Sequence, residues 1–452
     1  MILKPTTIRK RRSIVLILTM ILSMLPVSIA AAKGGEKQDY KIVGYYTSWS
    51  AYSGYQALEI DAKKLSHINY AFADICWDNQ HGNPNAGATW SCQDVNGDIS
   101  MPNGSIVLGD PWIDVQKPNE GETWSDPIRG NFSQLMKLKQ ANPHLQTLIS
   151  VGGWTWSNRF SDVAASAQTR EQFADSAVDF LRKYHFDGVD LDWEYPVGGG
   201  LDGNSARPED KQNYTLLLQN VRKKLDAAGK ADGKHYLLTI ASGASQSFVN
   251  HTELKKIAKV VDWINIMTYD FNGTWQKTSA HNAPLYDDPA AKAAGVNSGS
   301  VHSAVRQHLG AGVPAGKLVL GMPFYGHGWD GCPALNNGEY QVCAGGSAAA
   351  GSVNFSVLQD QYINKNGYTR YWNDKSKVPF LYNPTNGTFI SYDDEQSVGH
   401  KTAYIASNKL AGAMFWELGG DRNNTLLSKL AADLLSQKKH GGHDDGDEDQ
   451  DE

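Results

Sequence analysis

Eight short runs rich in β-branched and aromatic residues recur along the chain, and this repeat limits the possible folds more than any other feature. The runs are Ile42–Trp49, His67–Asp74, Gln146–Gly152, Gly188–Glu194, Tyr236–Ser242, Trp263–Asp270, Leu318–Tyr325 and Ala411–Glu417. Most of them are followed by apolar residues at helical spacing, such as Tyr214, Leu217 and Val221, and Gly229 is predicted to end that helix. Strands that alternate with helices predict an α/β protein, a (β/α)8 TIM barrel. A doubly wound sheet is the alternative, but the chain has no Gly-rich phosphate-binding motif.

Two intervals between the runs are longer than a barrel connection needs. A long loop rich in Gly, Asn, Pro and Trp, Ile75–Arg129, follows the second run. About eighty residues separate the seventh run from the eighth, too many for one helix. Within them, Phe380–Tyr382 and Phe389–Tyr392 flank a turn sequence and predict a hairpin. The predicted division is a barrel at residues 33–326 and 393–439, with a small α+β insertion domain between strands 7 and 8 at residues 327–392.

The N-terminus has the order of a secretory signal peptide. Five basic residues within the first twelve positions precede the apolar run Ile14–Leu25, and Ala30–Ala32 follows it. This run is short for a membrane span, so we predict that residues 1–32 are a cleaved signal. An uncleaved anchor is the less favoured alternative. Since no later segment is apolar enough to cross a membrane, we expect a secreted, extracellular protein with no membrane partner.

The four cysteines fit an exported protein. Cys76 and Cys92 lie close together in sequence, as do Cys332 and Cys343, and each pair occurs in a Gly- and Asn-rich loop. Three pairings are possible, and the two local ones need the least loop closure. A zinc site is the alternative, but no pair has the C-x-x-C spacing of such sites. We therefore predict two local disulfides.

The charge balance gives no reason to expect a nucleic-acid partner. The net charge of the whole chain is −6, and removal of the five basic residues within positions 1–32 takes it to −11. Residues 440–452 contribute seven acids and no base, so the remaining core is near −4. Nucleic-acid binding requires a basic surface. The acidic tail has no apolar residues, and we predict a solvated, disordered end.

The fourth run carries three acids at two-residue spacing, Asp190, Asp192 and Glu194, with apolar residues between them. Side chains two apart on a strand share a face, and unpaired buried charges are costly. A sequence that keeps three such acids is typical of acid–base chemistry, and the run ends at the barrel face that carries catalytic groups. Asp187 is out of step and is interpreted as a structural acid. The neighbouring residues lack His or EF-hand spacing, so we predict no metal and no cofactor.

Two other runs place aromatic residues at the same barrel mouth. In the sixth run Tyr269 shares a face with Asn265 and Met267, so its hydroxyl should point into the mouth. At the end of the eighth run, Trp416 offers a flat apolar platform. Carboxylic acid, tyrosine hydroxyl and indole together predict a sugar-binding site.

These residues carry a family resemblance. The sequence DGVDLDWE resembles the DxxDxDxE signature of family 18 glycoside hydrolases, the chitinases. Ser150–Gly153 is similar to their SxGG, Met267–Asp270 to their MxYD and Met414–Leu418 to the segment with the Trp on the eighth strand. Ser279–Tyr286 and Gly321–Gly326 are similar to segments of secreted bacterial members. The resemblance runs from about Lys41 to Leu435 and includes the insertion domain of the subgroup with deep clefts.

The resemblance implies a substrate-assisted, retaining hydrolysis of β-1,4 bonds between N-acetylglucosamine units. Glu194 would be the general acid and later the base. Asp192 would hold the acetamide N–H of the sugar and share a proton with Asp190. Tyr269 would bond the acetamide oxygen, and Trp416 would form the floor under the distorted sugar.

Other residues are predicted to bind the substrate, which is chitin and chitooligosaccharides. The predicted cleft residues are Met267, Asp270, Tyr325, Trp154 and Trp275. His281 and Asn282 are interpreted equally as rim contacts or plain loop residues. Trp112 and Trp124 in the long second loop are predicted to be exposed platforms for crystalline chitin, with a small satellite core as the alternative.

Three functions remain possible at this point. The favoured one is a monomeric, endo-acting chitinase. The alternatives are an endo-β-N-acetylglucosaminidase that acts on N-glycans and a chitin-binding lectin on the same barrel. Lectins of this type lack the acid at the position of Glu194, which this chain has.

Overall fold

The computed structural model describes residues 40–436, and within them eight parallel strands form a closed barrel. The strands are β1 (Lys41–Thr47), β2 (His67–Cys76), β3 (Gln146–Gly152), β4 (Gly188–Asp192), β5 (Leu237–Gly243), β6 (Trp263–Met267), β7 (Leu318–Pro323) and β8 (Gly412–Trp416). Each strand pairs with the next, and β8 pairs with β1. The predicted (β/α)8 barrel is therefore confirmed. The predicted signal peptide and acidic tail lie outside the described residues.

The strand registers bring three polar residues to one level of the barrel. Ser150 on β3 lies opposite Asp190 on β4, which lies opposite Thr239 on β5. Two residues further along these strands, Gly152 lies opposite Asp192. Because side chains alternate along a strand, the acids of β4 point into the barrel, while its apolar residues pack in the core under the helices.

The helices cover the outside of the barrel. The longer ones are α1 (Gly130–Ala141), α2 (Ala167–Tyr184), α3 (Asp210–Asp232), α4 (Val301–Gly310), α5 (Glu395–Ser407) and α6 (Thr425–Ser436). Between β1 and β2 the chain forms only 3-10 turns, Ser48–Ala51, Ala57–Glu59 and Ala62–Lys64, and between β5 and β6 only the short helices Gln246–Asn250 and Leu254–Ile257. None of the helices in the described range combines the length and apolar character that a membrane crossing requires.

The end of α3 differs from the sequence prediction. The helix does not stop at Gly229 but continues to Asp232, and Gly233 supplies the left-handed cap with a φ of 71°. Gly229 has another role, because a Cβ there would lie 2.3 Å from the carbonyl oxygen of Lys234. It allows the returning chain to approach the helix closely, and its own carbonyl accepts the Lys234 N–H.

The segment predicted as one long second loop contains regular structure. An antiparallel strand, Ser105–Leu108, pairs with the end of β2. In the same segment, the strands Gln80–Asn83 and Ala88–Ser91 pair as a hairpin. The predicted bridge between Cys76 and Cys92 is present and ties this region to β2. The many turn-forming residues of this segment gave no sequence signal for its short strands. The disulfide and the extension of β2 stabilise these strands.

A second sheet, entirely antiparallel, follows β7. Its strands are Tyr325–Asp330, Gly345–Gly346, Val353–Asn354, Thr369–Asn373, Val378–Asn383 and Thr388–Ser391. The predicted hairpin is present, with Leu381 opposite Ile390, and the predicted bridge joins Cys332 to Cys343. The sheet has its own small core around Trp329 and Phe389. We propose that it is the centre of the insertion domain predicted at residues 327–392.

Candidate active site

Asp190 is the deepest of the three acids and is held by hydroxyl groups from three strands, β1 and the two neighbours of β4. Its Oδ2 accepts hydrogen bonds from Tyr45 (2.7 Å) and Ser150 (2.8 Å), and its Oδ1 accepts one from Thr239 (2.5 Å). Burial raises the pKa of its carboxyl, although these hydrogen bonds act in the opposite direction. The carboxyl is fixed in place by the barrel wall and is not part of the cleft lining.

Asp192, one strand step higher, is buried without comparable support. Its Oδ1 has no hydrogen-bond partner among the described residues. Burial raises the pKa of this carboxyl well above its usual range, and the negative charges of Glu194 and Asp190 raise it further. A buried polar atom without a partner is costly in a folded protein, so this oxygen is suited to a hydrogen bond from a bound ligand.

Glu194 follows β4 and lies at the bottom of the cleft. Its backbone N–H donates to Ser157 Oγ at 2.8 Å, and its carbonyl oxygen accepts from Asn204 Nδ2 at 3.2 Å. Burial raises the pKa of its carboxyl to about 7, with a further contribution from the charge of Asp270. A carboxyl with this pKa can both donate and accept a proton near neutral pH, as acid–base catalysis requires.

Tyr269, just after β6, and Trp416, at the end of β8, line the same cleft as this acid. Among residues 40–436, the hydrogen-bond partner of the Tyr269 hydroxyl is the sulfur of Met414, at 3.8 Å. Burial, followed by the charge of Asp192, raises the pKa of Tyr269 well above its usual range, so the hydroxyl remains a hydrogen-bond donor. The Trp416 indole stacks on Phe72 with ring centroids 5.7 Å apart and packs against Tyr45. A rigid indole of this kind provides a flat apolar surface.

One cleft of about 1360 Å³ unites most of the predicted site residues. A cavity above the usual range for small ligands has room for several sugar rings. The predicted residues that line it are Asp192, Glu194, Tyr269, Trp416, Met267, Asp270, Tyr325, Trp154 and Trp275. They come from the carboxyl ends of the barrel strands, from the loops that follow them and from the first strand of the second sheet. Trp154 and Trp275 project into solvent, with 49% and 63% of their surface exposed.

Besides Asp190, two predicted residues lie outside this cleft. Trp112 and Trp124 are not part of its lining. They lie beside each other on the surface, with ring centroids 6.2 Å apart, and 69% of the Trp124 surface is exposed. Arg129 packs on the Trp124 ring.

The interpretation of His281 and Asn282 as rim contacts is wrong. Both side chains are fully buried. His281 Nε2 lies 2.7 Å from the Glu339 carboxylate, and Asn282 Oδ1 accepts the backbone N–H of Asp270 at 2.7 Å. His281 therefore connects the loop after β6 to a loop of the second sheet. Asn282 holds the backbone of Asp270 and donates its own N–H to Ser391 on that sheet.

Sequence reasoning missed several residues of the cleft. They are Trp49, Trp90, Trp156, His327 and Glu417. Trp49 ends the first predicted run at the same barrel face as Trp416, so the rule that selected Trp416 would have found it. Trp90 lies on a hairpin that was predicted as loop, and the sequence has no signal for its position.

No cluster of His, Cys, Asp or Glu side chains within residues 40–436 has an arrangement that could hold a metal ion. The three acids instead lie at successive levels, with Asp190 and Asp192 on β4 and Glu194 after its end. Asp190 is engaged by hydroxyl donors, whereas Asp192 and Glu194 face the cleft. The two carboxyls that face the cleft have raised pKa values, so proton transfer and hydrogen bonding are within their chemistry.

Comparisons with known proteins agree with this geometry. Residues 41–421 match the model of glycosyl hydrolases family 18. The chain is 64% identical to Chitinase A1 of Niallia circulans over 446 residues, which are 95% of this chain and 64% of that relative's length. The structure is similar to Chitinase ChiA74 from Bacillus thuringiensis, with a TM-score of 0.84, 52% identity and coverage of 88% of this chain and 70% of the other.

A third relative has a different activity in its name. The structure of an N-acetylglucosaminidase of glycoside hydrolase family 18 from Paenibacillus barengoltzii has a TM-score of 0.71 and 35% identity to this chain. The similarity covers 87% of this chain and 99% of the other. The family match over most of the described residues confirms the resemblance found in the sequence motifs, and the chain belongs to glycoside hydrolase family 18.

Proposed function

We propose that this protein is a secreted chitinase that hydrolyses the β-1,4 linkages of chitin by substrate-assisted, retaining catalysis. The observation that carries this proposal is the unpartnered buried oxygen of Asp192 beside Glu194, whose pKa is raised to about 7, at the bottom of a cleft lined with aromatic rings. Family membership and two compared relatives that are named chitinases support it.

The proposed first step is carried by Glu194. It donates its proton to the glycosidic oxygen while the bond from that oxygen to the anomeric carbon breaks. The acetamide carbonyl oxygen of the same sugar attacks the anomeric carbon, so that an oxazolinium ion forms and no enzyme nucleophile is required. Water then attacks that carbon, Glu194 accepts the water proton, and the original anomeric configuration is restored.

Asp192 is proposed to accept the acetamide N–H and to stabilise the positive charge of the oxazolinium ion. Its oxygen without a partner has the hydrogen-bonding capacity for that contact. Asp190 is proposed to share a proton with Asp192. The pKa of each carboxyl is raised, and the charge of Asp190 is one of the causes at Asp192. Since the donors of Tyr45, Ser150 and Thr239 occupy Asp190, the repulsion between the two acids favours a proton on Asp192.

The remaining groups are proposed to hold the sugar in position for attack. The Tyr269 hydroxyl would donate to the acetamide oxygen, in place of its weak contact with Met414. Trp416 would lie under the reacting sugar. Other lining residues would hold neighbouring sugars along the cleft, namely Met267, Asp270, Tyr325, Trp154 and Trp275. We propose endo-acting cleavage within the chain.

Export and a monomeric state are part of the same proposal. Two disulfide bonds support an oxidising compartment, and the predicted signal peptide would direct the chain there.

Activity on N-glycans, as an endo-β-N-acetylglucosaminidase, would need the same acid and acetamide contacts. The several exposed aromatic rings of the cleft favour a long polymer of repeating sugars, because each ring offers a stacking surface. A lectin function is less favoured, since Glu194 is present and its pKa is suited to proton transfer.

The experiment that tests the proposal measures sugar released from colloidal chitin and from a high-mannose glycoprotein. We expect release from chitin only, and Glu194→Gln is the control for contaminating activity. Proton NMR of the first product should show the β anomer, and fully deacetylated chitosan should not be cleaved. Release from the glycoprotein alone, or first appearance of the α anomer, contradicts the proposal.

A further inference from the structure

His327 lies on the first strand of the second sheet, Tyr325–Asp330, and lines the cleft. Its two ring nitrogens both face oxygen atoms. Nδ1 is 2.9 Å from the carbonyl oxygen of Gly351, and Nε2 is 2.8 Å from Asp270 Oδ1. The ring is buried, with 7% of the residue exposed.

Both of these oxygens are hydrogen-bond acceptors. A backbone carbonyl has no proton to give, and a carboxylate has none either. A neutral imidazole donates from only one nitrogen, so one of its lone pairs would point at an oxygen lone pair. The geometry is satisfied only when both nitrogens carry a proton, which makes the ring a cation.

The same oxygen of Asp270 also accepts a hydrogen bond from the Tyr325 hydroxyl at 2.7 Å. Asp270 Oδ1 is thus held by two donors from the second sheet, while Oδ2 has no hydrogen-bond partner among the described residues. About half of the Asp270 side chain is exposed, in the cleft. The free oxygen is therefore available to a hydroxyl group of a bound sugar.

The surroundings of His327 contain few groups that titrate. From the loop after β6 it faces Asp270 and the edge of the Trp275 ring, and on its own strand it faces Tyr325. Burial and the charge of Asp270 raise the pKa of Tyr325 well above its usual range, so Tyr325 stays neutral. Gly351, and Ser391 on the paired strand, present no titrating group.

Asp270 therefore dominates the protonation of the ring. Burial lowers the pKa of His327, but the hydrogen bond and charge of Asp270 and the bond to Gly351 outweigh that effect, so the pKa lies above its ordinary value.

We propose that His327 is a positioning residue: as a doubly protonated cation it clamps Asp270 against Tyr325, and so fixes the side of the cleft that receives a hydroxyl group of the N-acetylated sugar chain. The inference rests on the proposed function, since it names a further residue of the same site. Because Asp270 follows Tyr269 directly in the chain, the clamp also restrains the backbone that carries the Tyr269 hydroxyl.

Loss of the proton from His327 at high pH has two consequences. One ring nitrogen loses its hydrogen bond, to either Gly351 or Asp270, and the clamp loosens. The charge of Asp270 also loses its neighbouring cation, and that charge already raises the pKa of Glu194. A neutral residue at position 327 should therefore weaken substrate binding and move the alkaline limit of activity upward.

The first test does not depend on catalysis. NMR of the full protein with labelled histidine side chains follows the protonation of each ring against pH, and His327→Gln assigns the signal. We expect His327 to be doubly protonated at pH 7. A neutral ring at that pH overturns the proposal, even if the protein has no chitinase activity.

The second test compares steady-state kinetics of His327→Gln and His327→Arg on a soluble chitooligosaccharide from pH 5 to pH 10. His327→Gln should lower kcat/KM roughly tenfold, mainly through KM, as expected for the loss of one charge-assisted hydrogen bond. His327→Arg keeps a permanent cation and should retain most of the activity without the pH-dependent step in KM. Unchanged KM in His327→Gln overturns the proposal.

His302 provides the matched control. It is partly buried on α4, outside the cleft lining, and its Nδ1 contacts the Tyr404 hydroxyl. His302→Gln should leave KM unchanged. If His327→Gln fails to fold, the ring protonation of the wild-type protein and the kinetics of His327→Arg still decide the question. Absence of chitin hydrolysis by the wild-type protein counts against the proposed function, and the NMR result then stands by itself.

Discussion

The floor and the rim of the cleft are built from opposite materials. The floor consists of buried acids and hydroxyl groups fixed by adjacent strands, and the pKa of each acid is raised. The rim consists of large aromatic rings, Trp154 and Trp275 among them, that are exposed. In the proposed mechanism, the buried acids of the floor place protons at the bond that breaks. The exposed rings of the rim would stack against sugar rings.

A sharper contrast exists within the floor itself. Asp190 and Asp192 are two residues apart on one strand, but Asp190 accepts hydrogen bonds from three hydroxyl groups, while an oxygen of Asp192 accepts none among the described residues. The first carboxyl is satisfied by the protein alone. The second has an oxygen without a partner among the described residues, and this oxygen could accept a hydrogen bond from a ligand. The same residue type thus has a structural place at one level of the barrel and a ligand-facing place at the next.

The largest effect is expected at the residue that ends this series. Glu194→Gln keeps the shape of the side chain but removes its proton, and general acid catalysis is typically worth about 10²–10⁴-fold in rate. We expect kcat to fall by that factor, while calorimetry still detects binding of a chitooligosaccharide and the melting temperature is retained. Near wild-type turnover would show that Glu194 is not the acid.

The two aspartates should respond differently to the same change. Asp190→Asn places an amide among three hydroxyl donors, which should lower the free energy of unfolding by about 1–3 kcal/mol. Asp192→Asn removes a buried acid whose oxygen has no partner, so stability should be unchanged or higher. Both variants should lose activity. Urea unfolding curves measure the difference in the free energy of unfolding. Equal losses of stability in the two variants would show that both carboxyls contribute equally to the fold.

The raised pKa of Glu194 predicts where activity ends at high pH. As a general acid it must hold its proton in the free enzyme, which it does below its pKa of about 7. Above that value the protonated fraction falls, so kcat/KM should fall roughly tenfold for each further pH unit. A pH profile on a soluble oligosaccharide tests this. An alkaline limit below pH 6 would mean that a group other than Glu194 controls the alkaline limb of the profile.

Stability should follow the same titration. A carboxyl whose pKa is higher in the folded state contributes stability that is fully present below the unfolded value of 4.5 and is lost as pH rises through about 7. Glu194→Gln should remove this part of the pH dependence of the melting temperature.

Tyr269 lies between floor and rim, and its substitution should have a moderate effect. Tyr269→Phe removes the hydroxyl without a large change in packing, because its hydrogen-bond partner within the described part of the chain is the Met414 sulfur, at 3.8 Å. We expect kcat to fall roughly tenfold with a smaller rise in KM, as for one hydrogen bond made more strongly in the transition state. If only KM changed, the hydroxyl would belong to substrate binding alone.

The sequence predicted the floor better than the rim for a physical reason. Strand periodicity determines which face a residue occupies, so Asp190, Asp192 and Tyr269 could be assigned to the barrel interior from spacing alone. Rim residues lie on loops whose paths depend on contacts distant in sequence. Trp90 reaches the cleft because a hairpin folds back from β2, and no local pattern indicated that hairpin.

His281 and Asn282 illustrate the opposite error. Their polar side chains in a loop suggested solvent, but they lie fully buried between the loop after β6 and the second sheet. Glu339, the partner of His281, and Ser391, which accepts the Asn282 N–H, are far away in the chain. His327 was missed for a similar reason, since its two partners, Asp270 and Gly351, come from separate segments.

The smallest effect is expected at the part of the surface most remote from the floor. Trp112 and Trp124 form an exposed pair outside the cleft lining. A sugar ring that stacked on either indole would remove apolar surface from water. We propose that they hold crystalline chitin. Trp112→Ala and Trp124→Ala should reduce hydrolysis of crystalline chitin several-fold, while activity on soluble oligosaccharides and the melting temperature stay unchanged. Leu335→Ala, at an exposed apolar residue of the second sheet's loops, is the control and should leave both activities intact. An equal loss on both substrates together with a lower melting temperature would show that the two indoles belong to a small core, because only a structural role would couple stability to every activity at once.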